Sequence, residues 1–138
     1  MSIKSYVISA RFLMTISHFI MMILVWELGE SNIHVSLTDS PSSSAKALAY
    51  SDTEGALVFS LLCFICDFSG IFFGNSIFIM SVNYFQILSH FVGGLLMSWY
   101  LLEHWNIGAL WPIILGTNML SGLVEVCVFI GFLLKINV

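Results

Sequence analysis

Four long apolar stretches limit what this chain can fold into more than any other feature. Each could cross the roughly 30 Å hydrocarbon core of a bilayer as a helix, and they cover about residues 7–26, 55–73, 84–102 and 111–134. Composition agrees, since 59% of the residues are hydrophobic, 9% are charged and the mean hydropathy is +0.99, unlike a soluble domain. Strand-like alternation is missing, which argues against a lipid-facing barrel. We therefore predict an all-α, four-helix transmembrane bundle, with residues 1–138 as one membrane domain.

The few basic residues predict how the bundle is oriented. Lys4 and Arg11 lie at the start of the first stretch and Lys135 follows the last, so the positive-inside rule places both the N- and C-termini in the cytoplasm. We interpret Arg11 as a boundary residue whose guanidinium snorkels to the membrane surface. The segment 27–54 is then an outer loop. An aromatic belt at the outer helix ends fits this orientation, and it consists of Trp26, Trp99, Trp105 and Trp111.

The outer loop contains signals for its own local structure. Residues 40–45 read SPSSSA, a short Ser-rich stretch that we expect to be a mobile linker. Ser51 and Glu54 have the spacing of a capping box, in which a serine caps a helix and a glutamate three residues later bonds back to the cap. The second membrane helix is therefore predicted to begin at about Ser51.

One ionisable side chain interrupts each apolar stretch. An ionised side chain facing lipid costs several kcal/mol, so such groups face other helices. Ionisable residues inside a membrane are often functional. At 1.5 Å per residue, all four fall about 9–16 Å from the inner ends of their helices. The sequence thus predicts a polar layer in the inner half of the bilayer, made of His18, Asp67, His90 and Glu125.

Small residues share helix faces with these ionisable groups. Residues three, four or seven apart lie on one face of a helix, and small side chains there let membrane helices approach closely. Helix packing is therefore assigned to Gly70 and Gly74 beside Asp67, to Gly93 and Gly94 beside His90, and to Ser121 and Gly122 beside Glu125.

We interpret the polar layer as structural, with hydrogen bonds that fix the register of the helices. The amide replacements Asp67→Asn and Glu125→Gln are then expected to be tolerated. A proton relay, an ion path or a metal site is the alternative. No HExxH motif or nucleophile motif occurs, so we expect no catalytic residue, cofactor or metal ligand, and the basic residues are too few for nucleic acid.

Several short motifs, taken in order, resemble a known family. They are RFL at 11–13 followed by a histidine, ESNI at 30–33, an acid with SGxxxG up to residue 74, SH at 89–90 and ExW at 103–105. Together they resemble the transmembrane protein 107 family over about residues 11–135. Asp67 stands where the family pattern usually has a glutamate, and the basic C-terminal tail is reduced to Lys135.

The resemblance implies a non-enzymatic role in the ciliary transition zone, at the base of the cilium. Members of that family are multi-pass membrane proteins of the Meckel syndrome module, with both termini cytoplasmic. They help to place other transition-zone proteins, support cilium biogenesis (ciliogenesis) and contribute to the ciliary gate. The expected partners are therefore other transition-zone membrane proteins, Meckel syndrome module proteins and membrane lipids. The alternative is a small proton- or ion-conducting channel that uses the Asp67, His90 and Glu125 layer.

Overall fold

Four long helices form the bundle in the computed structural model, which describes residues 3–37, 41–74 and 76–136. Most of those residues are helical, and they contain no strand. Four helices are long and apolar enough to cross a membrane, which confirms the all-α class and the number of predicted crossings. In chain order the elements are α1 (Ile3–Leu28), α2 (Glu30–Ser36), α3 (Ser43–Phe72), α4 (Met80–Leu102), a 3₁₀ turn (Ile107–Ala109), α5 (Leu110–Ile114), a π-helical segment (Leu115–Met119) and α6 (Leu120–Ile136).

The last crossing is continuous from the 3₁₀ turn to α6. Helix α1 packs most extensively along α4, and α3 packs along α6.

We call the end of the bundle that holds Ile3, the α3–α4 turn and Lys135 the terminal side, and the opposite end the loop side. All four tryptophans lie at or near the loop-side ends of their helices, as a belt at one membrane surface would.

Buried residues recur at alternating spacings of three and four along the long helices. In α1 they are Arg11, Thr15, His18, Met22 and Val25. In α4 they are Asn83, Gln86, His90, Gly93, Met97 and Tyr100. This repeat averages 3.5 residues, the spacing of helices that pack with a left-handed crossing, as most membrane bundles do.

The core has an apolar half and a polar half. Toward the loop side it is an apolar cluster whose fully buried members include Ala56, Phe64, Met97, Tyr100, Leu110 and Ile114. Toward the terminal side the same faces carry buried polar side chains, among them Arg11, Asp67, Gln86 and Glu125. The change from apolar to polar occurs at similar depth in each helix, so the polar groups meet one another instead of lipid.

Helix α3 begins about two turns before the predicted capping box. The side chain of Ser42 caps it and accepts a hydrogen bond from the backbone N–H of Ala45 at 3.2 Å. The predicted start at Ser51 is therefore wrong, and the linker prediction is wrong for residues 43–45, which belong to α3. Residues 41–42 precede the helix, and Ser40 lies outside the described residues. The cause is the run AKALA after the serines, because alanine, lysine and leucine favour helix strongly.

The predicted outer loop 27–54 is also largely helical. It contains α2 and the first turns of α3, and the two are joined by a 2.9 Å hydrogen bond from the Tyr50 hydroxyl to Glu30. The Trp111 indole N–H donates to Asp52 at 3.0 Å and links this part of α3 to α5. The α3 extension is thus held against the loop side of the bundle.

Candidate functional site

Buried polar side chains toward the terminal side form one hydrogen-bonded network, which we call the polar network. An ion pair lies at its terminal-side end. The guanidinium of Arg11 donates from Nη2 to Glu125 Oε1 at 2.6 Å and from Nη1 to Asn83 Oδ1 at 2.8 Å. Arg11 is 1% exposed and Glu125 is 4% exposed. The interpretation of Arg11 as a snorkelling boundary residue is therefore wrong. A buried carboxylate offers its guanidinium a stronger partner than the distant surface, and the charges of the two groups cancel inside the bundle.

Ser121 joins the ion pair to the other ionisable residues. Gln86 donates from Nε2 to Glu125 Oε1 at 2.9 Å and to the Ser121 carbonyl at 3.2 Å, which leaves its Oε1 facing the Ser121 hydroxyl. The same hydroxyl oxygen lies 2.8 Å from Asp67 Oδ1 and 3.2 Å from His90 Nε2. This hydroxyl therefore contacts three partners but has one hydrogen to donate.

That hydrogen count constrains the protons of the network. Gln86 Oε1 and Asp67 Oδ1 both face the Ser121 hydroxyl, which can donate its one hydrogen to either acceptor. His90 can donate from Nε2 to Ser121 Oγ at 3.2 Å, whereas the other oxygen of Asp67 lies 3.5 Å from Nε2 and makes no hydrogen bond. Ser121 thus accepts from His90 and donates to one of the two facing acceptors.

The two histidines extend the network to α1. Their Nδ1 atoms are 3.1 Å apart, so one must carry a hydrogen and the other must not. With the hydrogen of His90 on Nε2, the bond is donated by Nδ1 of His18 to Nδ1 of His90. Nε2 of His18 is then a buried acceptor without a partner, and the ring packs edge-on against Phe64 at 5.1 Å.

The structure thus brings all four predicted ionisable residues, His18, Asp67, His90 and Glu125, into one hydrogen-bonded network. The contributions of Gln86 and Asn83 were not predicted from the sequence, and the prediction for Arg11 was wrong. The signal was present in the heptad spacing, since Arg11 is seven residues from His18, and Gln86 and Asn83 are four and seven residues from His90. Polar residues on the face of a buried ionisable group are candidates for its partners.

Most of the predicted packing residues lie at close helix contacts. A Cβ at Gly70 would overlap the Glu125 carboxylate, and one at Gly93 would overlap the His18 ring. At Gly94 and Gly122 a Cβ would make ordinary contacts, at 3.6 Å from His18 Cα and 3.5 Å from Cys63 Cα. Ser121 lies in the network itself.

Gly74 is the exception, and its assignment to helix packing is wrong. It lies beyond the end of α3 with φ of +76°, so it is a helix-terminating glycine. The GxxxG pattern does not extend across a helix here, because α3 ends at Phe72. The glycine is needed for the left-handed backbone that turns the chain toward α4.

A second polar cluster lies on the loop side, where α2 folds onto the ends of α1 and α4. Asn32 is fully buried, and its Nδ2 donates to the carbonyls of Tyr100 at 2.7 Å and Trp105 at 3.0 Å. Ser36 Oγ accepts from the backbone N–H of Ile107 at 2.8 Å. The motifs ESNI and ExW, about 70 residues apart in the sequence, therefore meet here. We call these contacts, which hold α2 against the end of α4, the α2 clamp; they involve Asn32, Ser36, Tyr100, Trp105 and Ile107.

The chain was compared with known families, curated proteins and solved structures. The family model described as TMEM107, transmembrane protein, matches residues 7–129, nearly the whole chain. The chain belongs to the TMEM107 family. No curated protein sequence and no solved structure is significantly similar to it. The matched range contains the polar network and the α2 clamp, so both are parts of the family domain in this chain.

What the network of this TMEM107-family chain can do chemically follows from its partners. Its acids and bases are hydrogen-bonded to one another across all four crossings, which ties each long helix to its neighbours. Among the described residues, no three His, Cys, Asp or Glu side chains are arranged to hold a metal ion. The hydrogen bonds between the crossings restrict how the helices can slide along one another.

Proposed function

We propose that this chain is a structural membrane adaptor of the ciliary transition zone. In this role it helps to place other transition-zone membrane proteins and Meckel syndrome module proteins, and it supports ciliogenesis and the gate that controls the protein composition of the ciliary membrane. The observation that carries the proposal is membership of the TMEM107 family over residues 7–129, together with the order of the motifs that resemble that family.

The form of the molecule supports an adaptor. Most of the described chain lies in four membrane-length helices, so contacts with partners must be made mainly through helix faces, the α2 clamp and the short turns. Partner surfaces on helices depend on a fixed register. A buried network that connects all four crossings supplies such a register, even though interhelical polar contacts in membranes average only about 0.6 kcal/mol each.

Imaging and proximity labelling of a tagged copy in ciliated cells test this proposal. The copy is expected to concentrate at the ciliary base and to label transition-zone proteins. Its fluorescence is expected to recover slowly after photobleaching, because many weak lateral contacts together hold each molecule in place. Deletion is expected to delocalise other transition-zone membrane proteins and to let plasma-membrane proteins leak into the cilium. A copy that spreads evenly over the plasma membrane, in cells whose gate survives deletion, contradicts the proposal.

A small proton or ion channel is the second candidate function. It is favoured by the continuity of the network from Arg11 to His18 and by three buried polar atoms in it that have no hydrogen-bond partner, Arg11 Nε, His18 Nε2 and Asp67 Oδ2. The apolar half of the core argues against it, because Phe64, Met97 and Ile114 are fully buried between the network and the loop side. Purified protein in liposomes with a pH-sensitive dye distinguishes the two: flux that vanishes in Asp67→Asn supports the channel.

A further inference from the structure

A continuous groove runs along the membrane-facing junction of α1 and α4. It consists of two cavities of about 310 Å³ and 470 Å³. Both are lined by Met21 and Ser98, so they join end to end. Volumes in this range are typical of sites for small organic ligands.

The groove has largely apolar walls, a polar end at the loop side, and two further polar side chains, Ser17 and His90, in the half toward the terminal side. At the loop side, the Ser31 hydroxyl and Nδ1 of His104 lie 3.1 Å apart and line its end. Methionine and leucine side chains form the walls, and Gly94 and Ser98 lie between them on α4. From Met14 to Leu28 the groove follows α1 for about 21 Å, so it begins at the loop side and extends past the roughly 15 Å depth of one leaflet's hydrocarbon.

From this geometry we propose that the groove binds a sterol in the leaflet on the loop side. Its hydroxyl bonds to the Ser31–His104 pair at the membrane surface, and its ring system lies along Met21, Gly94 and Ser98. None of the described residues that line the two cavities is a lysine or arginine, whereas a phospholipid phosphate favours such cations or clustered N–H donors. A neutral hydroxyl is the head group that this end of the groove complements.

The shape of the groove also favours a rigid occupant over an acyl chain. The small residues Gly94 and Ser98 allow a flat ligand to approach the helix backbone closely. A fused ring system loses little conformational freedom on binding, while a flexible chain loses a rotamer at each bond. Met14 and Met21 are adaptable side chains that can fit against ring edges.

Photolabelling of the full chain in lipid nanodiscs tests the proposal, with a cholesterol analogue that carries a diazirine as the probe. Labelled peptides are expected from α1 after Ser17 and from α4 after Gly94. Excess cholesterol is expected to reduce labelling by about tenfold, and an equal amount of phosphatidylcholine is not. Labelling that both lipids reduce equally, or labelling spread over all exposed helix faces, overturns the proposal.

Two variants and a matched control locate the site. Ser98→Phe fills the junction of the two cavities and is expected to reduce labelling by about tenfold. Leu62→Phe adds the same ring to an exposed position of α3 that lines neither cavity, and is expected to leave labelling unchanged. His104→Phe lies in the connection after α4, outside helix packing. It is expected to abolish the preference for cholesterol over its 3-methyl ether as a competitor. If Ser98→Phe and His104→Phe both label as the parent chain does, the groove is not a sterol site.

Discussion

At the scale of single residues, buried polar atoms and glycines determine whether the four crossings fit together. The apolar stretches of the sequence identify His18, Asp67, His90 and Glu125, because an ionisable residue stands out in an apolar run. They do not identify Arg11, which lies near the start of its run, where a lysine or arginine ordinarily reaches the surface. Only the packed structure places Glu125 within 2.6 Å of it.

The glycine pair at 93–94 provides a test with an internal control. Gly93→Ala is expected to destabilise the protein by about 1–3 kcal/mol, because its Cβ would overlap the His18 ring, which is fully buried against Phe64 and His90. Gly94→Ala meets only ordinary contacts with His18 and is expected to be nearly neutral. Thermal unfolding in detergent measures both variants. Equal melting temperatures for the two would show that His18 is not packed as described.

The ion pair changes what is expected of amide replacements. Asp67→Asn is expected to be tolerated, because an amide at this position keeps an oxygen that can accept from the Ser121 hydroxyl. Glu125→Gln is expected to cost about 3–5 kcal/mol, since it leaves the Arg11 guanidinium buried without its counter-ion. The double replacement Arg11→Met with Glu125→Gln should recover part of that loss. If Glu125→Gln unfolds at the same temperature as the parent chain in detergent, the charge of Arg11 is compensated elsewhere.

At the scale of elements, the sequence predicts the number of crossings well but places several helix ends incorrectly. Long apolar runs mark the part of a helix inside lipid, whereas α3 continues beyond it through AKALAYSDTE. Two serines, Ser42 and Ser51, precede helix-forming residues, and local propensity alone does not choose between them. The choice depends on tertiary contacts, since Ala49 and Thr53 are buried and Tyr50 bonds to Glu30 on α2.

The two candidate caps of α3 can be separated directly. Ser42→Ala is expected to weaken the first turn of α3 by about 1 kcal/mol, because it removes the acceptor of the Ala45 N–H. Ser51→Ala replaces an exposed residue inside the helix and is expected to change little. Hydrogen exchange of the amides from Ala45 to Ala47 reports the difference. Faster exchange at these amides in Ser51→Ala than in Ser42→Ala would contradict the Ser42 cap and support a helix that begins at Ser51.

At the scale of the whole molecule, the polar half and the apolar half of the core have different consequences. The polar half determines which helices face one another, and the apolar half separates that network from the loop side. Because Arg11 is buried, it does not count among the basic surface residues that determine orientation. Those residues are Lys4 and Lys135 on the terminal side and Lys46 on the loop side. The resulting bias still predicts cytoplasmic termini.

The orientation is tested by labelling single cysteines in intact cells with an impermeant maleimide. Ser43→Cys is expected to be labelled, because Ser43 is exposed at the start of α3 on the loop side. Ser2→Cys is expected to react only after the cells are permeabilised. The parent chain, with its three native cysteines, is the control. Labelling at position 2 and not at 43 in intact cells would reverse the orientation.

The central claim is that the buried network holds the helices of an adaptor in register. Rescue of the ciliary gate in cells that lack this protein tests it. Asp67→Asn removes an ionisable group but keeps every hydrogen bond, while Gly93→Ala keeps every ionisable group but displaces His18. The adaptor account predicts that Asp67→Asn restores the exclusion of plasma-membrane proteins from the cilium and that Gly93→Ala does not, at equal expression. A gate that Gly93→Ala restores and Asp67→Asn leaves open would contradict the account and favour proton movement through Asp67.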